Sequence, residues 1–208
     1  MTASSDDIGV VILAGGLASR LPAKLSLDVG GLPLLERVYE NLSPGRPTLI
    51  CCHDGLAAGL ARSLPCRVVN DRFGRRGPLG GLLSALAHLP TSWIFAAAGD
   101  APLLDARLID HLARARLSDD EAVVPTCGGI LQPLAALYET AALRLQAARL
   151  LRGGGSPGVR SVLAQLRHRT IAIDDDWLFA NVNTAADYGR LGRRLASAAP
   201  PPGAKAAH

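Results

Sequence analysis

The chain has 208 residues, 49% of them hydrophobic but only 4% aromatic, with a formal net charge of +4. No apolar run approaches the ~20 residues that span a bilayer, which excludes a helical membrane protein. With so few aromatic side chains and only a mild basic excess, a nucleic-acid surface of interleaved rings and cations is also excluded.

A core built from Leu, Val, Ile and Ala suits parallel strands buried on both faces. Ile8 to Leu13 is a short β-branched run and reads as the first strand. Pro33 to Leu42 follows as a helix, closed by the Pro44-Gly45 pair. Thr48 to Cys52 is a second strand, Leu56 to Leu64 a helix, and Arg67 to Val69 a third strand. Leu79 to Leu89 is helical and stops at Pro90, and Trp93 to Ala98 is a strand that ends in Gly99-Asp100. Asp105 caps a helix that runs to Arg116. Glu121 to Val124 and Leu131 to Tyr138 read as strands, and Thr140 to Leu151 as a helix. The glycine-rich stretch Gly153 to Gly158 is a loop, after which Gly158 to Arg167 is helical and Thr170 to Ile173 a late strand. Thr184 caps the last helix, to Leu195, and an Ala/Pro-rich tail with little to bury begins at Ala196. The alternation predicts one α/β domain, residues 1–195, with a mostly parallel central sheet, followed by a disordered tail, residues 196–208. The polar, acidic start at Met1 to Asp7 does not read as a signal peptide. No metal-ligand spacing links Cys51, Cys52, Cys66 and Cys127, so all four read as ordinary buried thiols of a cytoplasmic protein.

The strongest chemical signal is the segment Leu13-Ala14-Gly15-Gly16-Leu17-Ala18-Ser19-Arg20-Leu21-Pro22-Ala23-Lys24. It leaves the carboxyl end of a buried strand, where ligands of open α/β sheets gather. Paired glycines let backbone N–H groups face an anion, while Arg20 offers a bidentate fork and Lys24 a point charge for phosphate oxygens. Asp100 stands at the same edge and is the first choice to hold a hard cation such as Mg2+. In Asn181-Val182-Asn183-Thr184, alternation sends both amides to one side and Val182 inward. Asp71 in its loop and the acidic run Asp174-Asp175-Asp176 also read as turn residues. His53, at the end of the second strand, is placed to reach the crevice.

These blocks together resemble the molybdenum cofactor guanylyltransferases and their close relatives. The resemblance is carried by the L-A-G-G, S-R and K of the first loop and by Val29 to Val38. It continues through Asp71 with Gly77-Pro78-Leu79-x-Gly81, Ala98 to Pro102, Gln132-Pro133-Leu134 through Tyr138, and Asn181 to Thr184. It implies a single Rossmann-like, three-layer nucleotidyltransferase domain. It further implies that Leu13, Ala14, Gly15, Gly16, Arg20, Lys24, Asp71, Gly77, Pro78 and Leu79 bind the nucleotide. Arg20, Lys24 and Asp100 are then catalytic, with Asp100 the Mg2+ ligand. Arg160, Ser161, Asn181 and Asn183 would bind the acceptor, a phosphorylated pterin. The implied reaction transfers GMP from GTP to the molybdopterin phosphate and releases pyrophosphate, with molybdoenzyme-maturation proteins as partners. Relatives carry an asparagine where this chain has Cys52-His53-Asp54, so CTP stays open beside GTP. A cytidylyl- or other nucleotidyltransferase, and a nucleotide-binding module without turnover, are the alternatives.

Overall fold

A computed structural model describes residues 7–15, 21, 23–53, 55–73, 77–153 and 157–198. Eight strands form one sheet, β1 (Ile8–Ala14), β2 (Thr48–Cys52), β3 (Arg67–Asn70), β4 (Trp93–Ala98), β5 (Ala122–Cys127), β6 (Ile130–Leu131), β7 (Ala135–Glu139) and β8 (His168–Ala172). They run in the order β3-β2-β1-β4-β7-β5-β6, with β8 paired to β5. The pairs β1–β2, β2–β3, β1–β4 and β5–β8 are parallel. Only β7 and β6 run antiparallel to their neighbours.

Period-two alternation explains how the helices cover this sheet. Val10, Ile12 and Ala14 of β1 point into a core shared with α1 (Leu34–Leu42), α2 (Gly55–Ala61), α4 (Ala106–Ala115) and Leu191 of α7 (Ala185–Ala198). Val11 and Leu13 point the other way, against α3 (Gly77–Leu86), α5 (Thr140–Arg152) and α6 (Val159–Leu163). The result is the expected three-layer domain with a mostly parallel sheet.

Two sequence readings need correction. The stretch Leu131 to Tyr138 is not one strand, because Pro133 has no N–H to donate to a ladder. Instead Gln132 N donates to Pro125 O and Ala135 N to Gln132 O, a turn that separates β6 from β7. The last helix continues to Ala198, so Ala196 to Ala198, assigned to the tail, are helical. Residues 199–208 lie outside the described ones.

Helix starts follow the capping chemistry read from the sequence. Asp105 accepts from Arg107 N and Leu108 N at the head of α4. At α7 the cap is reciprocal: Asp187 N donates to Thr184 Oγ1 at 3.1 Å, while Asp187 Oδ2 accepts from Thr184 N at 2.9 Å. These bonds hold the Asp187 carboxyl below the usual carboxylate range, led by the hydroxyl bond from Thr184. A depressed folded-state pKa adds stability that is present above the unfolded value and lost as pH falls through the folded one. Acid titration below about pH 4 should therefore destabilise the protein, and Asp187→Asn should flatten that limb in urea melts.

The ends of β1 and β4 meet at Gly99, whose N–H donates to Leu13 O at 3.0 Å. A Cβ there would stand 3.0 Å from that same oxygen and 3.3 Å from Ala14 Cα. Gly99→Ala should cost about 1–3 kcal/mol in chemical denaturation, because backbone rather than a pliable side chain blocks the methyl.

Candidate active site

Parallel strands bring the ends of β1, β2, β3 and β4 to one edge of the sheet, and the chemistry gathers there. Asp100 follows β4 directly. Lys24 opens a 3-10 turn, Lys24–Ser26, on the segment leading into α1. Its Nζ lies 2.5 Å from Asp100 Oδ2 and 2.8 Å from Asn183 Oδ1. Both charged side chains are only 17% exposed, so solvent screens the pair less than at an open surface.

Each of the three segments is independently tied down. Val182 N donates to Asp100 O at 2.9 Å and the Val182 side chain is buried. Asn181 and Asn183 are both exposed, as the alternation predicted. Asp187 Oδ2, besides capping α7, accepts from Asn183 N at 3.1 Å. The Lys24 segment is braced through Leu34 N to Leu27 O and through Tyr188 Oη to Asp28 O at 2.6 Å. Arg37 donates from Nε to Val29 O, which locks the Val29 to Leu32 turn onto α1.

Not every expected residue joins this cluster. Gly16 and Arg20 lie outside the described residues. Leu13 and Ala14 form the buried end of β1, and Gly15 is exposed just beyond it. A Cβ on Gly15 would stand 2.7 Å from that of His53, which puts His53 beside the loop. Gly77 (φ 68°) and Pro78 begin α3, whose first turn has no acidic residue. Leu79 is fully buried beneath that turn. Asp71 is engaged locally: Oδ1 accepts from Phe73 N at 2.8 Å and from Ser84 Oγ at 3.3 Å. Arg160 donates to Leu131 O at 3.2 Å, and it and Ser161 are exposed. Among the described residues, no hydrogen bond or ion pair links Arg160, Ser161 or Asp71 to Lys24 and Asp100.

The thiols stay away from the chemistry. None of the four cysteines is in a disulfide. Burial pushes the Cys51 thiol up to about 12, aided by the nearby Asp71 charge. Cys66 is half-buried rather than buried, and its thiol too is raised by desolvation. Cys127 donates to Asp176 Oδ1 at 2.8 Å, which raises its pKa and fastens the acidic run to β5. Asp175 Oδ1 accepts from Trp177 N and Leu178 N, a turn role for the centre of that run.

For a divalent cation the test is the donor set. Asp100 Oδ2 and Asn183 Oδ1 already converge on one cationic atom, the Lys24 ammonium. Both are hard oxygens of the kind Mg2+ accepts, alongside water and substrate phosphates. No group of three or more His, Cys, Asp or Glu is placed to hold a metal ion by itself among the described residues. The donors fit an ion that draws the rest of its shell from a phosphorylated substrate.

An open α/β sheet that brings a lysine, a carboxylate and an amide together at its carboxyl edge has the layout of a nucleotide-handling enzyme. Comparison with known proteins narrows the class. The family model of the MobA-like NTP transferase domain matches residues 10–170, and the chain belongs to that family. A molybdenum cofactor guanylyltransferase of Vibrio cholerae is 32% identical over 155 residues, covering 73% of this chain and 75% of its own. That of Cupriavidus metallidurans is 32% identical over 191 residues, covering 87% and 92%. Among solved structures, molybdopterin-guanine dinucleotide biosynthesis protein A from Archaeoglobus fulgidus superposes with a TM-score of 0.77 at 24% identity. The match covers 91% of this chain and 99% of that one.

One strained residue marks the approach to the lysine. Ala23 has φ 53°, the only non-glycine with positive φ among the described residues. A left-handed L-residue costs about 1–2 kcal/mol, partly offset by the entropy a glycine would lose on folding. Ala23→Gly should be neutral or stabilising by up to about 1 kcal/mol in thermal melts, whereas Ala23→Val should destabilise.

Proposed function

We propose that this enzyme transfers GMP from GTP to the terminal phosphate of a molybdopterin acceptor and releases pyrophosphate. The observation that carries the reading is the convergence of Lys24, Asp100 and Asn183 from three distant parts of the chain. The relatives' names supply the acceptor and the base, and the residues supply the chemistry.

In this reading Gly15, Gly16, Arg20 and Lys24 cradle the triphosphate, with the acid-free start of α3 at Gly77, Pro78 and Leu79 beside it. Asp71 keeps the turn before α3 in shape. Asn181 and Asn183 hold the acceptor so that its phosphate oxygen lies in line with the α-phosphorus of the nucleotide. The new bond joins that oxygen to the α-phosphorus as the bond to the bridging oxygen of the β-phosphate breaks. Positioning and charge neutralisation suffice, with no covalent enzyme intermediate. Asp100 and Asn183 would hold Mg2+, which supplies Lewis acidity at the phosphate oxygens. With that carboxylate engaged, Lys24 is released to pair with substrate phosphate. Arg160 and Ser161, beside the glycine loop, are assigned to the outer acceptor wall.

His53 beside Gly15 sets the base edge, where relatives carry an amide, and CTP is the competing nucleotide. Four cysteines outside any disulfide support a cytoplasmic setting, and no helix among the described residues is long and apolar enough to cross a membrane.

The deciding assay is pyrophosphate release from GTP, CTP, ATP and UTP with Mg2+ and a molybdopterin acceptor. GTP alone should support turnover. Asp100→Ala and Lys24→Ala should each lower kcat by about 10²–10³-fold with folding intact. Turnover with CTP only would replace guanylyl by cytidylyl transfer, and tight nucleotide binding without pyrophosphate would leave a binding module.

A further inference from the structure

The charge of this protein is divided across its sheet. Positions 72–99 and 140–173 contain nine arginines and no lysine, aspartate or glutamate. Of 22 basic and 18 acidic residues in the chain, that leaves 13 basic and 18 acidic elsewhere. The two stretches supply α3, α5 and α6, which cover one face. Several of these arginines have partners: Arg167 pairs with Glu121, Arg169 with Asp120, and Arg144 donates to Leu86 O.

Arg72 and Arg152 are different. Both are exposed and neither has an ion-pair partner among the described residues, and both line a cavity of about 430 Å³. Phe73, 38% exposed, lines it too, together with Leu83 of α3 and Ala148 and Leu151 of α5. β7 descends the sheet antiparallel to β4, so α5 climbs back and delivers Arg152 to the carboxyl edge. The cavity thus flanks the Asp71 turn, on the face opposite α1 and α7, whose leading segments supply Lys24 and Asn183.

We propose that this cavity is a second ligand site, taking a small organic monophosphate with a planar ring. Two guanidinium forks with no carboxylate match a dianionic phosphate, which accepts from both at once. The apolar wall of Phe73, Leu83, Ala148 and Leu151 suits the ring, and its volume lies within the range of small-molecule pockets. A carboxylate brings one negative charge and two oxygens to the pair, against two charges and three oxygens for the phosphate. The occupant touches Arg72 and Phe73, and Phe73 N is bonded to Asp71, so the site borders the turn that leads into α3.

The test is a calorimetric titration of the full-length chain with phenyl phosphate, with inorganic phosphate and benzoate as probes of each half. Phenyl phosphate should bind more tightly than either, and should still bind when saturating GTP fills the crevice. The double variant Arg72→Ala/Arg152→Ala should weaken it roughly tenfold or more while GTP affinity stays within about twofold. Leu83→Trp, which adds bulk to the apolar wall and leaves both charges, should weaken it as well. Absence of phenyl phosphate binding, its displacement by GTP, or equal affinity in wild type and both variants would each overturn the site. Benzoate binding as tightly as phenyl phosphate would overturn the phosphate assignment.

Discussion

The hydrogen bond from Gly99 N to Leu13 O, and the absence of a side chain at Gly99, set the geometry of everything at the carboxyl edge. β1 and β4 are neighbours, and this contact extends their pairing one residue beyond the strand. The chain can then turn away at Asp100 with its carboxylate beside the end of β1. Asn41 Nδ2 donates to Pro102 O at 2.9 Å, so the outgoing segment is fixed from α1 as well. Lys24 reaches Asp100 only because its own segment is bonded to α1 and α7. The site is therefore a junction of backbone contacts before it is a set of charges.

Most of the layered fold was legible because buried parallel strands are short apolar runs and the intervening helices carry clear stops. Pro133 was legible too, but the apolar residues around it outweighed its missing N–H, and two strands were read as one. At the site, Lys24, Asp100 and Asn183 were singled out by residue type and by the order of the blocks along the chain, and these three meet in the structure. Asp187 and Arg37 were missed. Both act on backbone: Asp187 bonds Asn183 N, and Arg37 bonds Val29 O. The T-x-x-D pattern at Thr184 was a capping signal that could have found the first. Arg37 had no such signal, since a helix arginine reads as solvated until the turn it braces is known.

Asp71 shows how one residue type serves two readings. Its position in a family block pointed to the nucleotide, while its place between β3 and α3 pointed to a turn. The hydrogen bonds to Phe73 N and Ser84 Oγ belong to the second. Gly80 permits this arrangement, because a Cβ there would stand 2.9 Å from that of Phe73. Family blocks therefore preserve scaffold as well as chemistry, and a block match does not separate the two.

The bond from Val182 N to Asp100 O joins the middle of the chain to its late segment. On a ribosome the chain emerges from its N-terminus, so β1 and β4 can pair and Lys24 and Asp100 are both present well before Asn183 and the α7 brace exist. The second oxygen bonded to the Lys24 ammonium is supplied only when synthesis has passed residue 183 and α7 has begun to dock. A nascent chain in a pool of triphosphates thus carries the charges of the site without its completed geometry, and vectorial synthesis delays the finished centre until the domain can close around it.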